Sequence, residues 1–543
     1  MTLLSETDTS PSGDSQPVAL SPTRRRPVHG VTERGPDLLP LEPGEQYRFT
    51  FAMDACVGCH SCEVACAEQN DTPVDQAWRR VGELEGGEFP DTRRFSLSMA
   101  CNHCVEPTCL SGCPSNAYEK LGNGLVVHHA DDCIGCQYCI WNCPYEVPVF
   151  NPIDKIVSKC DMCRPRIDEG QSPACVLACP THAIGVEKVD VAEWRADHAS
   201  ADAPGLPPAD ITLSTTRIVV PLDIPAGTRP ANEHRVRRED PHWPLIVLTL
   251  LTQLSLGVVA TTVALEMAGA GGTSPTTSVG SRLGGPATGA FLAGAVALGA
   301  SLLHLGRPSR ALKALRNLRT SWLSREVALF SVFSVLSFAY AASWAGPAWI
   351  GEPDATSALG RWPTSLVGIA AALVGVAGVY ASARLYLVPA RPVWNSARTP
   401  AAFFATALAT GPLVALLCLD RSTLRPLWVA VLIGVAAGGI VAQLVVQACL
   451  QAAVRNRPDH QHQGTAQLLD GELRGLLLTR LAAAGMGLGL LAFCLAAPLD
   501  SAAAGGRLTV ALVVIASGEL IGRYLFYVSV VPYRMADGFF GSR

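Results

Sequence analysis

The sequence predicts two unlike halves: an α+β, cysteine-rich soluble domain, then an all-α polytopic membrane domain of about eight helices. Three observations carry this. Sixteen of the 19 cysteines lie between Cys56 and Cys179. From Trp243 onward the chain is mostly Ala, Leu, Val and Gly, in apolar stretches near the ~20 residues that cross a bilayer. Between the halves, prolines at 204, 207, 208, 221, 225, 230 and 241 predict a stiff, extended linker over residues 196–242.

Residues 1–45 are rich in Pro, Ser, Thr and charge, and read as a disordered tail. Arg24, Arg25 and Arg26 are followed by Pro27 and by no apolar run, so an export signal is not expected. Residues 46–195 contain four cysteine groups: Cys56, Cys59, Cys62, Cys66; Cys101, Cys104, Cys109, Cys113; Cys133, Cys136, Cys139, Cys143; and Cys160, Cys163, Cys175, Cys179. The first and third read C-x2-C-x2-C-x3-C, and proline follows Cys113, Cys143 and Cys179. This is the bacterial ferredoxin run for [4Fe–4S] clusters, in which each iron takes one soft thiolate. Sixteen thiolates can hold four such clusters, a wire for single electrons.

In two-cluster ferredoxins the fourth cysteine of each run crosses to the neighbouring cluster. That pattern joins Cys101, Cys104 and Cys109 with Cys143, and Cys133, Cys136 and Cys139 with Cys113. It likewise joins Cys56, Cys59 and Cys62 with Cys179, and Cys160, Cys163 and Cys175 with Cys66. Zinc is the chief rival, but zinc sites use two spaced pairs rather than a triplet with a trailing Cys-Pro. Secreted disulfide scaffolds do not repeat one ligand rhythm four times. Short alternating segments at 47–54, 124–129 and 183–189 predict strands flanking the cysteine loops, a ferredoxin-like duplication with an insertion over 67–100.

The apolar stretches fall at about 243–268, 285–305, 326–346, 364–388, 400–419, 427–453, 475–497 and 508–531. They make a membrane anchor over 243–531, leaving 532–543 as a C-terminal tail. Eight spans put both ends of the anchor on one side. Loops on that side carry Arg307, Arg310, Lys313, Arg316, Arg319 and Arg325, with Arg391, Arg398, Arg455, Arg457 and Arg474. The positive-inside rule places the cysteine domain at the cytoplasmic face of the cell membrane; a basic loop could instead meet an anionic protein surface. The net charge of −4 and the lack of a basic stripe in the soluble half argue against nucleic acid as a partner. Glu519 and Arg523, four apart on one helix, are expected to pair. Gln253, Gln443 and Gln447 read as interhelical glue, the glycines of 485–491 as close helix packing, and Cys418, Cys449 and Cys494 as small packing residues.

"CNHCVEPTCLSGCP" (101–114), "CIGCQYCIWNCPY" (133–145) and "KCDMCRPRIDEGQSPACVLACP" (159–180) resemble the iron–sulfur subunit of dimethyl sulfoxide reductases. "HWPLIVLTLLTQ" (242–253), "LLHLGRPSRALKAL" (302–315), "LSREVALFSVF" (323–333) and "GELIGRYLFY" (518–527) resemble the anchor subunit of the same enzymes. The chain is thus similar to a fusion of two subunits. The resemblance implies four [4Fe–4S] clusters, menaquinol oxidation in the anchor, and a separate molybdopterin catalytic subunit as partner, since no domain here is left for a terminal reductase site. It also implies His304, Arg310 and Glu326 as the quinol site. His304 ends the second span and Glu326 opens the third; ionisable groups at such ends are functional candidates, and histidine titrates near neutrality. Alternatives are the same wire serving polysulfide, thiosulfate, nitrate or formate chemistry or a redox-driven proton pump, and, more remotely, a zinc-binding membrane protein.

Overall fold

The structure, a computed structural model, describes residues 38, 40–73, 76–268, 279–349, 362–419, 424–497 and 503–535. Most of the expected N-terminal tail, and the tail residues 536–543, lie outside the described residues.

The cysteine half is built on small sheets. β1 (Glu45–Ala52) is the centre of one, because Phe49 and Phe51 are buried on one face while Gln46 and Thr50 are buried on the other. After α1 (Ser61–Asn70), β2 (Arg80–Gly86) and β3 (Arg93–Met99) make a hairpin from the predicted insertion. There follow α2 (Thr108–Gly112), β4 (Tyr118–Lys120), β5 (Val126–His128), α3 (Tyr138–Asn142), β6 (Val149–Asn151) and β7 (Ile156–Ser158). Next come α4 (Arg164–Asp168), α5 (Ala174–Leu177), β8 (Ile184–Asp190) and α6 (Val191–Ala196). β8 pairs antiparallel with β1, β4 with β5, and β6 with β7. Each cysteine run therefore passes from loop to short helix beside a strand pair.

The expected extended linker is corrected. Residues 196–242 fold onto the cysteine domain: β9 (Arg217–Val219) pairs parallel with β1, and β10 (Arg229–Pro230) pairs antiparallel with β2. Thr216 donates 2.8 Å to Asn102, and Thr212 donates 3.2 Å to the Cys104 sulfur. The physical reason lies between the prolines, where Leu206 and Ile218 pack into the domain core.

The anchor comprises α7 (Trp243–Met267), α8 (Val279–His304), α9 (Trp322–Trp349), α10 (Trp362–Leu385), α11 (Arg398–Cys418) and α12 (Pro426–Asn456), then α13 (His460–Asp470), α14 (Arg474–Ala496) and α15 (Ala503–Val528). Eight of these, all but the short α13, are long and apolar enough to cross a membrane. α7 is the most enclosed, and crosses α11 where a Cβ on Gly411 would strike the Gly257 backbone. The expected packing role of the 485–491 glycines holds for Gly487, which faces Ile515; Gly485 and Gly489 face open space. Cys494 is buried, whereas Cys418 and Cys449 face outward.

The halves are clamped together. Tyr138 and Trp141 of the third cysteine group belong to the membrane domain's own apolar core. Gly306 N donates to Gly135 O at 3.2 Å, and Arg307 N to Ile134 O at 3.1 Å. Lys313 and Arg316 reach Asp132 at 2.9 and 2.7 Å. Part of the basic loop that sequence assigns to membrane orientation is thus engaged with the protein's own cysteine domain.

Candidate functional site

The cysteine loops have matching backbones. Gly58 and Gly135 stand at the same place in the first and third runs, with φ of 66° and 69°, and His60 and Gln137 follow at 59° and 60°. These left-handed residues curl the chain so that successive thiols face one point. Backbone N–H groups point at sulfurs: Ala117 N at Cys113 (3.3 Å), Gly135 N at Cys133 (3.4 Å), Met162 N at Cys160 (3.4 Å) and Ala183 N at Cys179 (3.2 Å). Such contacts favour thiolate over thiol.

All sixteen cysteines are free of disulfides, and they gather in space. Cys104 has Cys101 and Cys143 as charge neighbours, and Cys109 has Cys143, Cys101 and Cys104. Those four line one cavity. Cys139 neighbours Cys136, Cys113 and Cys133. Cys66 neighbours Cys175 and Cys163, and Cys56 neighbours Cys179 and Cys59. Between groups, Cys160 lies near Cys101, and Cys62 near Cys175. The thiols therefore form a file, with Cys136 at the membrane end and the exposed Cys59 at the other.

The donor set fits iron–sulfur cubanes. Burial pushes the Cys104 and Cys66 thiols up to about 12 and Cys143 to about 11, so uncoordinated they would keep their protons at neutral pH. Two buried cations, Arg79 and Lys159, stand among the sulfurs. Burial works to lower Arg79, but Cys175, Cys62, Cys160 and Cys66 around it hold it above its ordinary value, and its Nε and Nη2 lack partners. Burial likewise opposes the charge on Lys159, yet Cys101, Cys109 and Cys160, with the Asp161 carboxylate, raise it. Buried cations among sulfurs suit thiolates bound to metal. Among the described residues, no three His, Cys, Asp or Glu side chains converge closely enough for one metal ion. A four-iron cube takes one thiolate per iron, so its four cysteines need not converge on a single ion as zinc ligands do.

Where the third group meets the membrane, aromatic rings and polar side chains pack together. His304 lies against the Cys136 backbone, and its ring lies 5.3 Å from His242 and 6.5 Å from Trp141. Trp141 also packs 5.9 Å from Tyr386, 5.4 Å from Trp394 and 6.3 Å from Tyr527. Glu326 is buried beside Ser382, close to Tyr138, Tyr386 and Tyr527. Tyr386 and Tyr527 join hydroxyl to hydroxyl.

Of the three predicted pocket residues, His304 and Glu326 lie around this aromatic group, whereas Arg310 turns away, its guanidinium donating to the Asp131 carbonyl. Sequence reasoning missed His242, Tyr386, Tyr527 and the fully buried Arg391, which lies over the Trp141 and Trp394 rings and 3.5 Å from Glu239. His242 had a signal, an ionisable residue opening a span; the tyrosines, inside or just beyond apolar runs, had none. Outside the membrane-spanning segments, burial depresses His242 to about 3, with His304 and Arg391 adding to the effect.

Comparison with known proteins finds two family matches. Residues 93–189 match the 4Fe-4S dicluster domain, and residues 239–528 match the DMSO reductase anchor subunit (DmsC). The cysteine half is 36% identical over 177 residues to one polypeptide of the anaerobic dimethyl sulfoxide reductase of Haemophilus influenzae, covering 31% of this chain and 86% of that protein. It is 37% identical over 168 residues to a formate dehydrogenase iron–sulfur subunit of the same organism, covering 28% and 54%. It is 35% identical over 160 residues to a sulfite dehydrogenase subunit of Allochromatium vinosum, covering 25% and 67%.

Proposed function

Because this protein belongs to the dimethyl sulfoxide reductase family, with an iron–sulfur subunit and an anchor subunit in one polypeptide, we propose that it oxidises menaquinol in the membrane and delivers the electrons to a separate molybdopterin catalytic subunit. The observation that carries this reading is the contact of His304 with the Cys136 backbone, which sets the pocket against the first thiol quartet of the file. When bound, four [4Fe–4S] clusters would supply single-electron carriers along that file.

The cross-over quartets are Cys113, Cys133, Cys136, Cys139; Cys101, Cys104, Cys109, Cys143; Cys66, Cys160, Cys163, Cys175; and Cys56, Cys59, Cys62, Cys179, ordered from membrane to surface. Arg79 and Lys159 offset their negative charge. In the pocket, His304, set beside the Cys136 backbone, is the first base for a quinol proton. Glu326, buried beside Ser382, is the second base, and the hydroxyl-bonded pair Tyr386 and Tyr527 has one O–H left to donate to a quinol oxygen. Trp141 and Trp394 exclude water. At the far end Cys59 is exposed, with Val57 and Val64 exposed near it on the same loop and helix; this face is where the catalytic partner docks.

The basic residues Arg235, Arg237, Arg238, Arg398, Arg457 and Arg474 support a cytoplasmic cysteine domain. The formate and sulfite dehydrogenase relatives favour a second reading, in which the same path runs towards quinone. The test is anaerobic purification of the full-length protein. About sixteen irons with matching sulfide, and bleaching of the visible absorbance by a menaquinol analogue, are expected. Zinc without sulfide rejects the cluster reading; clusters that no quinol reduces and no quinone oxidises reject the pocket.

A further inference from the structure

A second buried polar site lies in the anchor, on the side of Trp394 and Phe526 away from the His304 pocket. It sits between α11, α12, α14 and α15 at the end facing the cysteine domain, and is lined by Arg398, Gln443, Gln447, Arg480, Glu519 and Arg523. Three guanidiniums thus share a cavity with a single carboxylate. Among the described residues, none of the three has a carboxylate within ion-pair distance. Arg480 donates to Gln447 at 2.5 Å and Gln443 at 3.1 Å; Arg523 donates to Gln253 at 2.7 Å; Arg398 donates to the Cys449 carbonyl at 3.1 Å. All of these acceptors are neutral. Glu519 makes no ion pair with Arg523 as their spacing suggested: its Oε2 accepts from Thr406 (2.6 Å) and Gln443 (2.9 Å), and its one charge is shared at longer range between Arg480 and Arg523.

The site is built rather than incidental. Arg523 is 5% exposed, and its Nε is without a partner, as is Nε2 of the equally buried Gln447. Room for the Arg480 guanidinium exists because residue 522 is glycine: a Cβ there would stand 2.6 Å from Arg480 Nε. A second cavity opens on the α12–α14 seam, lined by Arg480 and Glu519 together with Leu444 and Leu481, the latter 38% exposed on the outer face. Arg480 stands six residues into α14 and Arg523 five from the end of α15, about 8–9 Å below the helix ends at ~1.5 Å per residue. Guanidiniums at that depth reach the lipid headgroup layer.

We propose that this cavity binds the phosphate headgroup of an anionic phospholipid from the leaflet on the iron–sulfur side, its acyl chains leaving through the α12–α14 seam. Buried cations need a counter-charge, and a neutral quinone ring supplies none. Basic pockets between membrane helices take anionic lipid headgroups for this reason. The site is independent of the quinol pocket, and holds whichever way electrons run.

The test uses the full-length, cluster-loaded protein in detergent, stripped of lipid and titrated with phosphatidylglycerol, phosphatidylcholine or inorganic phosphate while native mass spectrometry counts bound molecules. One retained phosphatidylglycerol per polypeptide is expected, with phosphatidylcholine binding roughly tenfold or more weakly. Arg480→Gln and Arg523→Gln should each lower phosphatidylglycerol retention by a similar factor, and Arg480→Lys should restore part of it. Arg398→Gln, at the half-buried rim, should weaken retention in the same direction even if the buried variants fail to fold. Equal retention of the two lipids, or retention unchanged by Arg398→Gln, overturns the proposal. So does displacement of phosphatidylglycerol by inorganic phosphate, which would mark a free-anion site, or by a menaquinone analogue, which would mark a quinone site.

Discussion

Gly306 and Gly135 meet backbone to backbone: the amide of Gly306, two residues past His304, donates 3.2 Å to the carbonyl of Gly135, beside Cys136. A Cβ on Gly135 would stand 2.9 Å from Gly306 Cα, and one on Gly306 would strike the Lys155 carbonyl. The join is close enough for a membrane helix end to touch a cysteine loop only because both residues lack side chains.

Gly306→Val should therefore part the halves without dismantling either. The expected result is unchanged iron content with quinol-driven bleaching slowed about tenfold or more, as small misplacements near a reacting centre do. Bleaching at the normal rate in stopped flow would show that this contact does not set the distance.

His304→Ala and Glu326→Ala should each slow cluster reduction by a menaquinol analogue about 100-fold, the scale of a lost acid–base group, while dithionite reduction stays normal. Unchanged quinol rates in both variants would remove these residues from the pocket.

Arg310→Ala distinguishes docking from catalysis. Its guanidinium bonds the Asp131 carbonyl at the edge of the interface. The expected loss in quinol rate is no more than about fivefold, the worth of a partly exposed contact. A loss as large as that of His304→Ala would put Arg310 on the substrate.

Arg79→Met removes a buried cation from among Cys62, Cys66, Cys160 and Cys175. Added electrons lose an attractive charge, so one or both adjacent clusters should fall in potential by about 60 mV or more, a tenfold change in a one-electron equilibrium. Redox-titrated EPR reads this directly, and an upward or absent shift contradicts the assigned counter-charge.

Iron removal by an oxidising chelator should unfold the cysteine half alone. Thiols raised by burial, Cys104 to about 12, take up protons at pH 7 once the metal leaves, and Arg79 and Lys159 lose the anions that held them. Protease should then cut within residues 46–242 while the apolar helices of the anchor persist. Equal resistance of the two states would mean that the sheets alone hold the domain.

The sequence by itself determined the number and spacing of the thiols and the number of apolar spans. Sixteen thiols in a repeating rhythm and eight apolar runs are local patterns, set by donor chemistry and bilayer thickness, and each can be read in a single window of residues. His304 and Glu326 were legible as ionisable residues at span ends. Only the tertiary structure decided what those residues face. It turned Arg310 towards Asp131, folded the proline-rich 196–242 segment back onto β1 and β2, and brought Trp141, His242, Tyr386, Trp394 and Tyr527 from four separate segments around one point. Contacts between residues hundreds apart are settled by burial and complementary shape across the whole molecule, and no local window contains that information.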